Sequence, residues 1–223
     1  MSLNAPVRAI IFDMDGTMID SMPFHEKSWV LFCQQQGVHM PIDEVMRRTT
    51  GRTITECIPL VLDRPLSADE LDALAEHKEA LYREMFAPVF REVPGFGAFL
   101  QHILARGLTW GVGTAAGPSN IEFAMRHLAL TPPAVVGGHG LRGKPEPDIF
   151  LTAAERLGVA PEHCVVFEDA PFGIEAARRA GMRAVALCTS HAAHELQGPH
   201  VIAQAPDYHA LLAQDAARAA LGL

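Results

Sequence analysis

Val7-Arg8-Ala9-Ile10-Ile11-Phe12-Asp13-Met14-Asp15-Gly16-Thr17 is the stretch on which the reading of this chain turns. Val7 to Phe12, V-R-A-I-I-F, is mostly β-branched and apolar, the composition of a strand buried in a parallel sheet. Two acids come immediately after it, so polar groups crowd the strand's carboxyl end. Taken alone, Asp15-Gly16 after an apolar run is a hairpin signal. The residues after Thr17, however, do not alternate as a returning strand should.

The pattern repeats further along. A second strand is expected over Leu108–Gly113, ending in Thr114, and a weak third over Ala134–Val136. A fourth, Cys164–Phe167, ends in Glu168-Asp169. A fifth covers Ala184–Leu187, and Val201–Ala203 makes a short edge strand. Helices are expected between them: Phe96–Ala105 closed by Gly107, Ser119–His127, Pro145–Leu157 stopped by Gly158, one opened by Pro171 and closed by Gly181, and a terminal Pro206–Leu221. Such alternation predicts an α/β fold. In an open parallel sheet, ligands bind beyond the carboxyl ends of the strands. Asp13, Asp15, Thr114, Glu168 and Asp169 would therefore share one rim. Lys144 joins them from the loop after Gly137-Gly138-His139-Gly140 and Gly143.

Met22 to Phe90 has a different texture. Trp29, Leu31 and Phe32, then Leu71, Leu74, Leu81, Tyr82 and Met85, recur at helical spacing, with breaks at Gly37, Pro41, Gly51 and Pro65. Ser67 with Glu70 reads as a capping box. The expected organisation is an α/β domain built from 1–21 and 92–223, interrupted by an all-helical domain over 22–91.

Composition narrows the function. The chain has 223 residues, 49% of them hydrophobic, enough for a core without disulfides or structural metals. Its net charge of -8, from 18 Lys+Arg against 26 Asp+Glu, disfavours nucleic acid or an anionic membrane as partner. The cysteines Cys33, Cys57, Cys164 and Cys188 form no C-x-x-C pair, and Cys164 and Cys188 read as small buried hydrophobes. A reduced, cytoplasmic setting is expected. No apolar run reaches the ~18 residues of a membrane span. No signal segment or function is read at Met1–Asn4. The histidines besides His25 show no ligand spacing, and the methionines, Met85 and Met125 among them, read as packing.

The rim's residue types suit phosphoryl transfer. A carboxylate can attack phosphorus, and a second acid nearby can protonate the leaving oxygen and then activate water. Clustered carboxylates beside phosphate make a normal Mg²⁺ site, while a lysine, a hydroxyl and a helix N-terminus can hold phosphate oxygens. Each element also has a bland reading. Thr114 can be a cap, Lys144 a solvated charge, and Glu168-Asp169 an N-cap before Pro171. All of these at once is a poor coincidence.

These residues resemble the four motifs of the haloacid dehalogenase superfamily: D-M-D-G-T at Asp13–Thr17, Thr114 in W-G-V-G-T-A-A, Lys144 in G-K-P-E-P-D-I-F, and Glu168-Asp169 in V-V-F-E-D-A-P-F-G-I-E-A-A. The resemblance spans nearly the whole chain. It implies a parallel sheet in the order 5-4-1-2-3 with a helical cap inserted after the first motif. It implies Asp13 as nucleophile, Asp15 as general acid and base, and Thr114, Ala115 and Lys144 as phosphate-binding residues. Mg²⁺ would be held by Asp13, the Asp15 carbonyl and Asp169, with Glu168 close by. Asp15 separates the chain from the superfamily's dehalogenases.

Within the superfamily the chain is most similar to the β-phosphoglucomutase-like branch. There, His25 would face the active site, Lys78 would contact substrate, and Gly51-Arg52-Thr53 would form the specificity loop. One departure matters. In true β-phosphoglucomutases, the arginine gripping the second phosphate lies three residues after the loop glycine, a position held here by Ile54, while Arg52 comes directly after Gly51. The reading placed first is therefore a phosphatase of a small phosphorylated metabolite, such as a sugar phosphate. A phosphohexomutase comes second, with a pyrophosphatase and a phosphonatase behind it. A non-enzymatic binding module would have had no reason to keep the whole set. A monomer or weak dimer is expected, and the cap should move about hinges near Asp20–Pro23 and Arg91–Gly95.

Overall fold

The computed structural model describes residues 5–223; Met1–Asn4, where no function is read, lie outside them. The chain runs β1 (Ala9–Phe12), α1 (Met22–Gln36), α2 (Ile42–Thr49), α3 (Ile54–Leu62), α4 (Ala68–Phe86), α5 (Phe96–Ala105), β2 (Thr109–Gly113), α6 (Pro118–Leu128), β3 (Ala134–Val136), α7 (Asp148–Leu157), β4 (Cys164–Glu168), α8 (Pro171–Arg179), β5 (Arg183–Leu187), β6 (Val201–Ala205), α9 (Tyr208–Leu212) and α10 (Asp215–Leu221). All strand pairs are parallel, in the order β3-β2-β1-β4-β5-β6. The expected order of five strands is present, and β6 extends it at one edge.

Alternation along β1 builds two cores. Ile10 and Phe12 face one side with Val112, Val165, Phe167, Val185 and Leu187, while Ala9 and Ile11 face the other with Val166, Ala184 and Ala186. The first face is the bulkier. Phe12 meets Phe96 edge-on at 5.4 Å and Phe167 at 5.1 Å, with Tyr208 stacked on Phe167 at 5.8 Å.

Register then sets the rim. Phe12 lies opposite both Val112 and Phe167, so the next residues, Asp13 and Glu168, emerge side by side. The Asp13 amide still donates to the Phe167 carbonyl, and the Thr114 amide to the Val136 carbonyl. The last ladder bonds thus reach into the site.

Helices α1 to α4 enclose a third core of Trp29, Phe32, Val45, Cys57, Ile58, Val61 and Ala75. Two chain segments join this helical unit to the sheet. They run antiparallel, with the Asp20 amide donating to the Arg91 carbonyl and the Val93 amide to the Met18 carbonyl.

Several local expectations are corrected. The helix expected from Pro145 begins only at Asp148, because Pro147 disfavours helical backbone at Glu146. The terminal helix is two helices, broken at Ala213-Gln214. Asp207 caps the first, and Gln214 turns aside to donate to the Gln204 carbonyl. Ser67 does accept from the Glu70 amide, but the Glu70 carboxylate goes to Arg64, so the reciprocal half of that box is spent elsewhere. A full capping box sits instead at Thr53 and Glu56. Among the described residues, no helix is long and apolar enough to cross a membrane.

Candidate active site

The strand ends deliver their side chains to one cavity. Asp13, Asp15, Thr114, Ala115, Lys144, Glu168 and Asp169 line it from the sheet, and His25, Arg52, Ile54 and Lys78 line it from the helical unit. Sequence positions more than a hundred residues apart meet here.

Lys144 is the hub of the sheet side. Its Nζ donates to Asp13 Oδ1 at 2.5 Å and to Glu168 Oε1 at 2.6 Å, and all three residues are buried. The other oxygen of Glu168 accepts from the Asp169 and Ala170 amides at 2.8 and 2.9 Å. Glu168 is thus fully occupied holding Lys144 and the turn into α8. Gly173 makes room for it, since a Cβ there would fall 1.8 Å from Glu168 Oε1. Gly16 does the same for Asp169. Its φ is +76°, and a Cβ would sit 2.0 Å from Asp169 Oδ2.

This crowding sets the electrostatics. Burial, with Glu168 and Asp15 as further negative neighbours, outweighs Lys144 and pushes the Asp13 carboxyl up to about 8. Burial and the charges of Glu168 and Asp13 push Asp169 well above the usual range. Burial works against the Lys144 ammonium, but Asp13 and Glu168 more than compensate, and its pKa is raised. Three buried carboxyls share one ammonium, an excess of acid groups over cations.

A hard cation fits that excess. Asp13, Asp169 and the carbonyl of Asp15 are oxygen donors of the kind Mg²⁺ takes. Among the described residues, no three His, Cys, Asp or Glu side chains form a ready metal cage. Mg²⁺ is commonly held by one or two carboxylates and completes its shell with substrate phosphate and water. The Asp169 carboxylate is fixed from behind, where Ser190 Oγ donates to its Oδ2 at 2.5 Å. Thr189, next to it, donates to the Gly16 carbonyl.

Thr114 lines the same cavity. Its hydroxyl accepts from the Ala116 amide at 3.1 Å. Ala115, Ala116 and Gly117 continue along the cavity wall to the start of α6.

Asp15 faces the helical unit. Its Oδ1 accepts from Ser21 Oγ at 2.7 Å, His25 Nε2 at 3.1 Å and the Tyr82 hydroxyl at 3.3 Å. The His25 and Tyr82 rings stack at 3.8 Å. Lys78 Nζ lies 3.0 Å from His25 Nδ1. An ammonium can only donate, so Nδ1 accepts and Nε2 carries the proton that His25 gives to Asp15. Burial pushes Asp15 up, but the hydrogen bonds from His25 and Ser21 and the charge of Lys78 outweigh it and hold the carboxyl below its ordinary value.

Lys78 also donates to Glu79 Oε1 at 3.0 Å, and Asn120 Nδ2 of α6 donates to Glu79 Oε2 at 2.5 Å. Arg83 of α4 donates to Asn120 Oδ1 at 2.8 Å. The helical unit is therefore tied to the sheet side through Asn120. Glu56 adds a second tie by accepting from the Gly143 amide at 3.3 Å, one residue before Lys144. Arg52 lies over the Phe172 ring at 5.3 Å, and its buried Nε has no hydrogen-bond partner among the described residues.

The structure thus bonds Asp13, Lys144 and Glu168 to one another and links Asp15, His25 and Lys78 in a second chain. Thr114, Ala115 and Arg52 line the same cavity without joining either set. Sequence reasoning passed over Glu79, Asn120, Tyr82 and Ser190. Ser190 had a usable signal, since it lies just beyond the carboxyl end of β5, where the strand-end rule applies.

Comparison with known proteins agrees with this architecture. The description "haloacid dehalogenase-like hydrolase" matches residues 7–181. The chain is 36% identical to fructose-1-phosphate phosphatase YqaB of Escherichia coli (strain K12), over 79% of this chain and 94% of that protein. It is 32% identical to β-phosphoglucomutase of Bacillus subtilis (strain 168), over 81% and 83%. Among solved structures, a hydrolase from Pseudomonas syringae shares the fold, with a TM-score of 0.80 at 24% identity over 92% of this chain and 96% of that one. The chain belongs to the haloacid dehalogenase-like hydrolase family.

Proposed function

We propose that this member of the haloacid dehalogenase-like hydrolases is a Mg²⁺-dependent phosphatase that hydrolyses a small phosphorylated metabolite, a sugar phosphate, through an aspartyl-phosphate on Asp13. The observation that carries the reading is the Asp13–Lys144–Glu168 cluster, which holds a buried carboxylate beside a cation at the end of β1. The names of relatives at 36% and 32% identity support the substrate class, since one is a fructose-1-phosphate phosphatase and another a β-phosphoglucomutase.

Asp13, the Asp15 carbonyl and Asp169 would hold Mg²⁺, which when bound supplies charge neutralisation for the transferring phosphoryl group. Asp13 attacks phosphorus, forming an O–P bond as the bond to the leaving oxygen breaks. Asp15, a carboxylate in the ligand-free site, must first take up a proton, which it then gives to that oxygen. Asp15, now a carboxylate, then takes a proton from water as the water's oxygen attacks phosphorus. The Asp13–P bond breaks and inorganic phosphate leaves. Lys144 holds Asp13 in place, and the Thr114 hydroxyl with the neighbouring amides binds phosphate oxygens. His25 and Lys78 orient Asp15, so closure of the helical unit and proton transfer are linked. On this reading, residues 1–21 and 92–223 form the catalytic domain and 22–91 the cap.

Phosphohexomutase activity ranks second, because the position three residues after Gly51 is Ile54 and Arg52 is turned onto Phe172. The test is phosphate release with and without chelator across hexose 1- and 6-phosphates, phosphoglycolate and pyrophosphate. Release that chelator abolishes is expected. No release from any, with turnover of β-glucose 1-phosphate in a coupled mutase assay, would replace the proposal with the isomerase.

A further inference from the structure

Glu79 stands out among the acids lining the cavity, because it lies outside the nucleophile's cluster and is joined to Asp15 only through Lys78 and His25. It lies on the cavity face of α4, and its side chain is only 12% exposed. Burial would push its carboxyl up, but the charge of Lys78 and the Asn120 and Lys78 hydrogen bonds hold it down, so it is a buried anion. A buried ion pair adds little stability over an apolar pair of similar shape. Its presence in a cavity wall calls for another reason.

The charge inventory supplies one. Five carboxylates and three cations line the cavity: Asp13, Asp15, Glu79, Glu168 and Asp169 against Arg52, Lys78 and Lys144. Lys144 is committed to Asp13 and Glu168 at the reaction end. On the helical side Lys78 is committed to His25 and Glu79, and Arg52 stacks on Phe172. Glu79 therefore cancels the Lys78 ammonium, which would otherwise add to Arg52 in attracting a second anionic group. Carboxylate and amide oxygens there can accept from hydroxyls, and the hydroxyls of Thr49 and Thr50 lie in the same wall.

Resting on the phosphatase reading, we infer that Glu79 is a specificity-determining residue that selects phosphomonoesters of uncharged polyhydroxy compounds over esters carrying a second anionic group. Along α4 the substrate meets a neutralised, hydrogen-bonding stretch of wall. A second phosphate there meets a carboxylate held at close range in a partly desolvated site.

A matched pair of esters tests this: fructose 1-phosphate and fructose 1,6-bisphosphate, compared by kcat/KM at the 1-position. Wild type prefers the monophosphate. Glu79→Gln, which keeps the shape and removes the charge, moves the ratio toward the bisphosphate by about tenfold, the order expected of one charge at short range. Lys78→Gln moves it the other way and serves if Glu79→Gln does not fold. Glu76→Gln, the same charge change on an exposed position of α4, leaves the ratio within about twofold because solvent screens it. A ratio unmoved by Glu79→Gln and by Lys78→Gln overturns the inference, as does an equal shift from Glu76→Gln. If neither ester is hydrolysed by wild type, the phosphatase reading fails. The ratio of the two dissociation constants, measured by calorimetry on the same variants, then decides the role of Glu79.

Discussion

The sheet side and the helical side of the cavity hold their charged groups in different ways. On the sheet side, Asp13 and Glu168 sit at the ends of paired strands, and ladder bonds from β1 and β4 run up to them. On the helical side, His25, Lys78 and Glu79 lie on α1 and α4, and their reach to Asp15 and Asn120 depends on how those helices dock. The first set is fixed by the fold. The second exists only while the helical unit is closed on the sheet. On the proposed reading, one site combines a reacting centre held by strand ends with a wall that leaves when the cap opens, an arrangement that would separate chemistry from admission of substrate.

The largest expected effect lies on the rigid side. Asp13→Asn lowers phosphate release by roughly 10³-fold or more, as removal of a nucleophile does, while the melting temperature stays near that of wild type. Turnover surviving that change would break the account of the sheet side.

Next comes stability. Lys144→Ala leaves Asp13 and Glu168 buried without their cation, at a cost of roughly 3–5 kcal/mol. Lys78→Ala costs less than half of that, because the helical unit can swing out and return Glu79 to water. Urea denaturation of the two variants measures the contrast, and equal losses would erase it.

The smallest effect lies at the tie between the two sides. Asn120→Ala removes the hydrogen bonds to Glu79 and from Arg83. It should raise KM by about tenfold, the worth of a hydrogen bond to a charged group, with a smaller change in kcat. Its ligand-free solution scattering profile should expand relative to wild type as the paired segments near Asp20 and Arg91 flex. An unchanged profile and KM would mean that closure is set elsewhere.

The same contrast explains which parts of the site are legible in the sequence. Asp13, Thr114, Glu168 and Asp169 are legible because a strand's end fixes where the next residue goes, and apolar runs mark strand ends. Lys144 is legible from its glycine-rich loop and its resemblance to a known motif. The roles of Glu79 and Asn120 are not, because rotation of α4 against α6 brings them together and no local pattern encodes that rotation. Tyr82 reads as one more apolar helical residue, and its hydroxyl finds Asp15 only through packing. Pro147 and Gln214 show a smaller failure of the same kind. Helical spacing runs beyond the points where an unfavourable backbone state delays the start of α7 and a competing side-chain bond follows the end of α9.

The central claim is that Asp13 forms a bond to phosphorus. The most direct measurement is the mass of the Asp13-containing peptide after a turning-over sample is quenched in acid. The account predicts a population carrying one added phosphoryl group on Asp13, absent from the Asp13→Asn protein. A phosphoryl group on a different residue, or Asp13→Asn releasing phosphate as fast as wild type, would contradict it.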